Sequence, residues 1–187
     1  PIWVPADMGN GELLPGARAW GEIDGVLYGV SYALSIVHIV YRTSALAGPP
    51  LTFADVLAQQ PRYRFPAGSP PTSWTLLLQY RTAGGRLADD SGVPVLDRDP
   101  LITVLDYYAQ GIQQGVFDAS LLDYNDFEDC WKAFAAASID ISAVDTVTYL
   151  TGKSAVPNSA LAPIPTADGL PVTALDGWLW VLTTQDP

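Results

Sequence analysis

The chain has 187 residues, enough for one domain with a substantial core. Hydrophobic residues make up 49% and charged residues 16%, and the 16 Gly and 16 Pro follow no period, so disordered, collagen-like and low-complexity chains are excluded. The net charge of −11, with Lys132 and Lys153 the only lysines, argues against a nucleic-acid partner and a polybasic membrane contact, both of which rest on Lys and Arg.

The first 20 or so residues are rich in Pro, Gly and Trp, lack a period and read as an extended approach. Asp24-Gly25 marks a tight turn into the apolar, β-branched and aromatic run Val26 to Tyr41, which predicts one or two strands. Thr52 with Asp55 has the spacing of a capping box, opening a helix whose apolar face is Phe53, Val56 and Leu57. Arg62 to Phe65 alternates like a strand. A loop over Gly68 to Pro71 leads to a helix capped by Thr72 or Ser73, with Trp74, Leu77 and Leu78 as its stripe and Gly84-Gly85 as its stop.

Asp89 to Pro94 is rich in turn residues, and Asp99-Pro100 reads as a cap and first-turn proline. Ile102, Leu105, Tyr108, Ala109 and Ile112 then fall at helical spacing. A further helix is expected over about 125–136, with Asp126, Glu128 and Asp129 in the first turn, where the helix dipole favours them. Ile139, Ile141 and Ala143 alternate with polar residues as in a strand, Leu161 to Pro165 is extended, and Val172 to Thr184 ends the chain as strand. Interleaved helices and strands make the class α/β.

No segment approaches the roughly 20 apolar residues of a membrane span. The chain starts at Pro1 without a methionine and reads as a piece of a longer parent. Its lone cysteine, Cys130, between aromatic residues, reads as a buried thiol. The lone histidine, His38, supplies neither a metal-ligand cluster nor a triad, and reads as a strand residue. No metal, cofactor or catalytic residue is expected. Asp123, Asp126, Glu128 and Asp129 offer carboxylates for glycoside hydrolysis, but they sit at a helix start and read as caps. Asp140 lies between isoleucines, where a charge must be paired or exposed, and Asp145 follows on the same strand as a candidate hydrogen-bond acceptor in a cleft. Six Trp, nine Tyr and five Phe supply flat faces suited to sugar rings, with Trp74, Trp131, Trp178 and Trp180 the candidates.

The run from Asp24-Gly25-Val26-Leu27-Tyr28-Gly29-Val30-Ser31-Tyr32-Ala33 to Tyr41 resembles a stretch of the extracellular solute-binding proteins that serve sugar ABC importers, of the family 1, maltose-binding-like type. Pro49-Pro50 through Leu57, Trp74 with Gly84-Gly85, Leu96-Asp97 through Gly115-Val116, Phe134 to Ile141, Ala162-Pro163-Ile164-Pro165, Asp176-Gly177-Trp178 and Asp186-Pro187 follow in that family's order. Ser31 stands where the family commonly has proline and Ser35 where it often has aspartate.

The resemblance implies a single lobe of a periplasmic-binding-protein type II-like fold, an open mixed sheet flanked by helices. It implies one domain over 1–187, with the approach and first crossing strand at 1–31, the lobe core at 32–175 and the second crossing strand at 176–187. It further implies capture of a sugar or oligosaccharide by hinge closure, delivery to a membrane ABC permease, a monomeric protein and an extracytoplasmic location, periplasmic or lipid-anchored. The ligand-binding positions it implies are Tyr32, Ser35, Thr72, Trp74, Ser142, Asp145, Asp176 and Trp178. A carbohydrate-active enzyme and a structural surface domain are the competing readings.

Overall fold

The computed structural model describes residues 15–69 and 73–181. Thr72, the Asp186-Pro187 pair and the first 14 residues lie outside that range. Residues cluster into two units. One takes residues 15–36 with 175–181, the other Val37–Ala174.

In the first unit, α1 spans Pro15–Gly21, where an extended segment was expected. Proline is tolerated at a first helical position because the N–H it lacks has no partner there anyway. Strands β1 (Glu22–Ile23) and β2 (Val26–Leu27) pair antiparallel. The turn between them has positive φ at both Asp24 (50°) and Gly25 (77°), the type I′ geometry expected of Asp-Gly. Strand β3 is long, Gly29–Arg42, and its residues 29–36 pair antiparallel with β7, Leu175–Val181.

In the second unit, residues 37–42 of β3 are the inner strand of a mixed sheet. It pairs antiparallel with β5 (Ile141–Asp145) on one side and β6 (Ser159–Ala162) on the other. Strand β4 (Tyr63–Arg64) extends the sheet parallel to β5, giving the order β4-β5-β3-β6. Residues 37–41 are all buried, as a strand covered on both faces must be.

Two cores use the two faces of that sheet. Ile39, Tyr41, Ile141 and Ala143 point into the larger core, with α2 (Phe53–Gln59), α3 (Trp74–Thr82) and α4 (Arg98–Gln113). Val40 and Val144, of opposite parity, join Trp131 and Phe134 of α5 (Phe127–Ala135), with Tyr149 of α6 (Thr146–Gly152) packed alongside. Helices cover both faces, so the α/β class and the open mixed sheet flanked by helices are as expected.

Local signals form where they were read. Thr52 Oγ1 accepts from Asp55 N at 3.0 Å and Asp55 Oδ2 accepts from Thr52 N at 2.9 Å, completing the capping box on α2. Asp126 caps α5 by accepting from Asp129 N at 2.8 Å. Cys130 is fully buried, and burial pushes its thiol far above the usual range.

Two helices turn a different face inward from the one their apolar spacing suggested. Helix α4 starts at Arg98 and not after Asp99, and it buries Val104, Tyr107 and Gly111 while Ile102, Leu105 and Ile112 are exposed. Gly111 sits so close to Phe117 that an added Cβ would stand 2.4 Å from its ring. Of the α3 stripe only Leu78 is buried; Thr75, Gln79 and Tyr80 accompany it and Trp74 is exposed. Gln79 is held there by accepting from Tyr108 Oη and donating to Pro165 O.

Candidate functional site

The aromatic residues of β3 and β7 gather on one face of a two-stranded ladder inside the first unit. Along β7, residues 176, 178 and 180 are exposed and 175, 177 and 179 are half-buried, the alternation of a strand with one covered face. The covered face holds Leu175, Leu179, Leu34 and Ser31, all set by the pairing register. Helix α1 lies against it: Ala17 is buried, and Ser31 Oγ donates to Ala17 O at 3.0 Å.

The open face carries Trp178 and Trp180, each 69% exposed, and Tyr32, 55% exposed. Ser35 stands directly opposite Asp176, and Ala33 opposite Trp178. The register then slips between Ser31 and Ala33, leaving Tyr32 as the extra residue. A bulge of this kind re-aims a side chain. The Tyr32 ring lies 5.1 Å from the Trp180 ring, tilted by 37°.

The polar groups sit at one end of this face. Asp176 Oδ1 accepts from its neighbour Gly177 N at 2.7 Å, and the carboxylate remains exposed. Ser35 Oγ is buried and finds no hydrogen-bond partner among the described residues. Four of the expected positions, Tyr32, Ser35, Asp176 and Trp178, therefore share one face. Trp180 belongs with them; its alternation with Trp178 along the strand was the signal for it.

The remaining expected positions fall in the second unit. Trp74 opens α3 and lines an apolar cleft of about 440 Å³ with Leu76, Tyr80, Leu87 and Leu96. Ser142 is fully buried in β5 and its hydroxyl donates to Ala143 O at 3.1 Å. Asp145 ends β5 and caps α6, accepting from Thr148 N at 2.7 Å. Thr72 lies outside the described residues.

Other charged and titratable groups have structural partners. Asp140 takes Arg62 in a two-pronged pair, at 3.0 Å from Nε and 2.8 Å from Nη2, and this bonding holds its carboxyl below the usual range. Buried Arg64 pairs with Asp118 and donates to Val116 O at 3.0 Å. His38 is buried with its ring edge-on to Tyr149, and burial pushes the imidazole below its usual range. No group of three His, Cys, Asp or Glu among the described residues is placed to hold a metal.

No family model matches the chain, and no curated protein matches it. Solved structures do. The maltose-bound MalE3 of T. maritima superimposes with a TM-score of 0.74 at 19% identity, covering 90% of this chain and 48% of that one. The chain has the fold of a solute-binding protein. A cyclic α-maltosyl-1,6-maltose binding protein from Arthrobacter globiformis matches with a TM-score of 0.69 at 18% identity, covering 92% of this chain and 48% of its own. An ABC transporter solute-binding protein from Thermotoga lettingae, bound with α-D-tagatose, gives 0.69 at 16% identity, covering 93% and 50%. This chain thus spans about half the length of the structures it matches, as a single lobe of such a fold does. Among the described residues no helix is long and apolar enough to cross a membrane.

Proposed function

We propose that this chain is the ligand-binding lobe of an extracytoplasmic solute-binding protein. It captures a sugar or oligosaccharide and delivers it to a membrane ABC permease. The observation that carries the reading is the open aromatic face of the β3–β7 ladder, set in a fold shared with sugar-bound solute-binding proteins. Indole and phenol rings pack against the apolar C–H face of a sugar, while nearby polar groups bond its hydroxyls. Tyr32 and Trp178 supply the rings, and the exposed Asp176 carboxylate the hydrogen-bonding group.

Ser142, buried in its strand, takes no part in this reading. No bond is made or broken. Lobe closure by hinge motion traps the ligand, and the closed form is what the permease recognises. The chain passes from one unit to the other at 36–37 and 174–175. Just inside the second unit the two passages are tied together: Thr173 Oγ1 lies 2.9 Å from Val37 N and 2.7 Å from Val37 O.

Calorimetric titration of the full-length protein against a panel of mono- and oligosaccharides tests the proposal. Heat on binding at least one sugar, lost in Trp178→Ala, is expected. Heat with polyamines or peptides and with no sugar would overturn the assignment.

A further inference from the structure

Three Asp-Gly pairs occur in the chain: Asp24-Gly25, Asp168-Gly169 and Asp176-Gly177. Such a pair can react with itself, because glycine has no side chain to shield its nitrogen from the preceding carboxyl. The fold treats the three pairs differently. The Asp168 carboxylate is turned to other groups, accepting from Leu170 N at 3.0 Å and from Thr166 Oγ1 at 3.2 Å. Asp24 and Gly25 are held at positive φ in the type I′ turn, whose fixed dihedrals leave little freedom to fold the carboxyl onto Gly25 N. At Asp176 the carboxylate already lies against the nitrogen, Oδ1 accepting from Gly177 N at 2.7 Å.

The ladder leaves that nitrogen available. Val37 N donates to Ala174 O, and in the same register Gly177 faces Leu34 at a position where the two strands exchange no backbone bond. Gly177 N therefore points away from β3, the one strand that β7 pairs with among the described residues. The glycine is also required there, since an added Cβ would stand 2.4 Å from Ala33 O. Asp176 is exposed, so water reaches its carboxyl.

We infer that Asp176-Gly177 is a site of spontaneous backbone isomerisation, and that of the three pairs it is the one at which the folded protein ages first. Gly177 N attacks Asp176 Cγ and the N–Cγ bond forms. The OH of the protonated carboxyl leaves with the amide proton as water, closing a succinimide ring. Water then adds to the ring at the former Asp176 backbone carbonyl and breaks its bond to Gly177 N. The chain now runs through Cβ and Cγ, and the old backbone carbon is a free carboxylate: isoaspartate, with no net gain or loss of atoms. Holding the two reacting groups in contact removes part of the entropic barrier to the first step. The product lengthens the backbone of β7 by one carbon immediately before Trp178. An added backbone atom acts as a bulge does, so Trp178 and Trp180 lose their register with β3. This inference stands independently of the sugar-binding reading.

The test ages the purified full-length protein for several weeks at physiological temperature and near-neutral pH. Peptide mapping by mass spectrometry, with fragmentation that separates isoaspartate from aspartate, follows each Asp-Gly pair. In the folded protein the Asp176-Gly177 peptide is expected to accumulate isoaspartate about three- to tenfold faster than the Asp24-Gly25 peptide, with Asp168-Gly169 slower still. In urea the same three dipeptides are expected to react at similar rates, so the ranking belongs to the fold. Near-ultraviolet circular dichroism of the aged sample is expected to change in step with the fraction isomerised at Asp176. Asp176→Glu keeps the carboxylate but would need a larger, slowly closing ring, and is expected to give no isomer at this peptide and no spectral drift. The ranking in the wild type requires no variant, so the inference stays testable whether or not Asp176→Glu folds. A folded-state rate at Asp176 equal to or below that at Asp24, with the three alike in urea, overturns the site. Isoaspartate at Asp176 with an unchanged aromatic spectrum overturns the loss of register.

Discussion

The two units treat their aromatic residues in opposite ways. In the second, Phe53 stacks on Tyr107 at 4.0 Å, and Tyr63, Phe65, Tyr108 and Phe117 interlock around them. These rings, buried except for the half-buried Tyr108, hold the larger core together. In the first unit, Tyr32, Trp178 and Trp180 lie open on a strand face whose reverse side is already packed. The same residue types thus stabilise the fold in one place and stand exposed in the other. A large ring left on the surface forgoes the roughly 1.5–3 kcal/mol that burial provides, so a cluster of three invites a functional explanation.

That contrast can be broken by substitution, and the largest effect belongs to the buried rings. Phe117→Ala and Phe134→Ala, at sites almost fully closed to solvent, are expected to cost about 3–5 kcal/mol in urea unfolding. Trp178→Ala is expected to stay within about 0.5 kcal/mol by the same measurement, as surface substitutions do. A loss of several kcal/mol there would mean that the ring is structural and the contrast false. Gly111→Ala drives a methyl into the Phe117 ring and is expected to cost about 1–3 kcal/mol. Thr52→Ala removes half of the capping box and is expected to cost about 1 kcal/mol, read as a lower urea midpoint.

The smallest effect is a pH dependence. His38 stays neutral in the folded state to a lower pH than in the unfolded chain. As the pH falls below the ordinary histidine value, the unfolded state takes up a proton first, and stability declines until the buried imidazole titrates too. Above that value the contribution is complete. His38→Gln is expected to flatten the stability profile between about pH 6.5 and 5, as followed by urea midpoints. An unchanged slope would assign the dependence to other groups. Below that range Asp140 contributes in the same direction, because its Arg62 partner lowers its pKa and the pair is lost as the carboxyl protonates.

Much of the fold was legible because its signals are local. The capping box at Thr52 and Asp55, the Asp24-Gly25 turn and the β3 run each depend on a few neighbouring residues. Helix α4 was not read correctly, because it carries apolar residues on more than one stripe. Spacing alone ranks Ile102, Leu105 and Ile112 with Val104 and Tyr107, and only packing against α2 and Phe117 selects the latter pair. Asp140 was legible as a charge needing a partner, but Arg62 lies 78 positions away in sequence. Tyr32, Ser35, Asp176 and Trp178 were named through the family resemblance together with Thr72, Trp74, Ser142 and Asp145, and spacing alone did not mark the four as sharing one face. The register slip that joins Tyr32 to Trp180 was not legible, since nothing in either strand alone marks it.

The sequence by itself determined the α/β alternation, the turn and cap positions and the aromatic-rich strands. Each follows from backbone preference and side-chain periodicity within a dozen residues. The tertiary structure alone decided which stripe of α3 and α4 faces the core and which carboxylates are neutralised. It also decided that the rings of β3 and β7 share an open face, because strands some 140 residues apart must pair before their register exists.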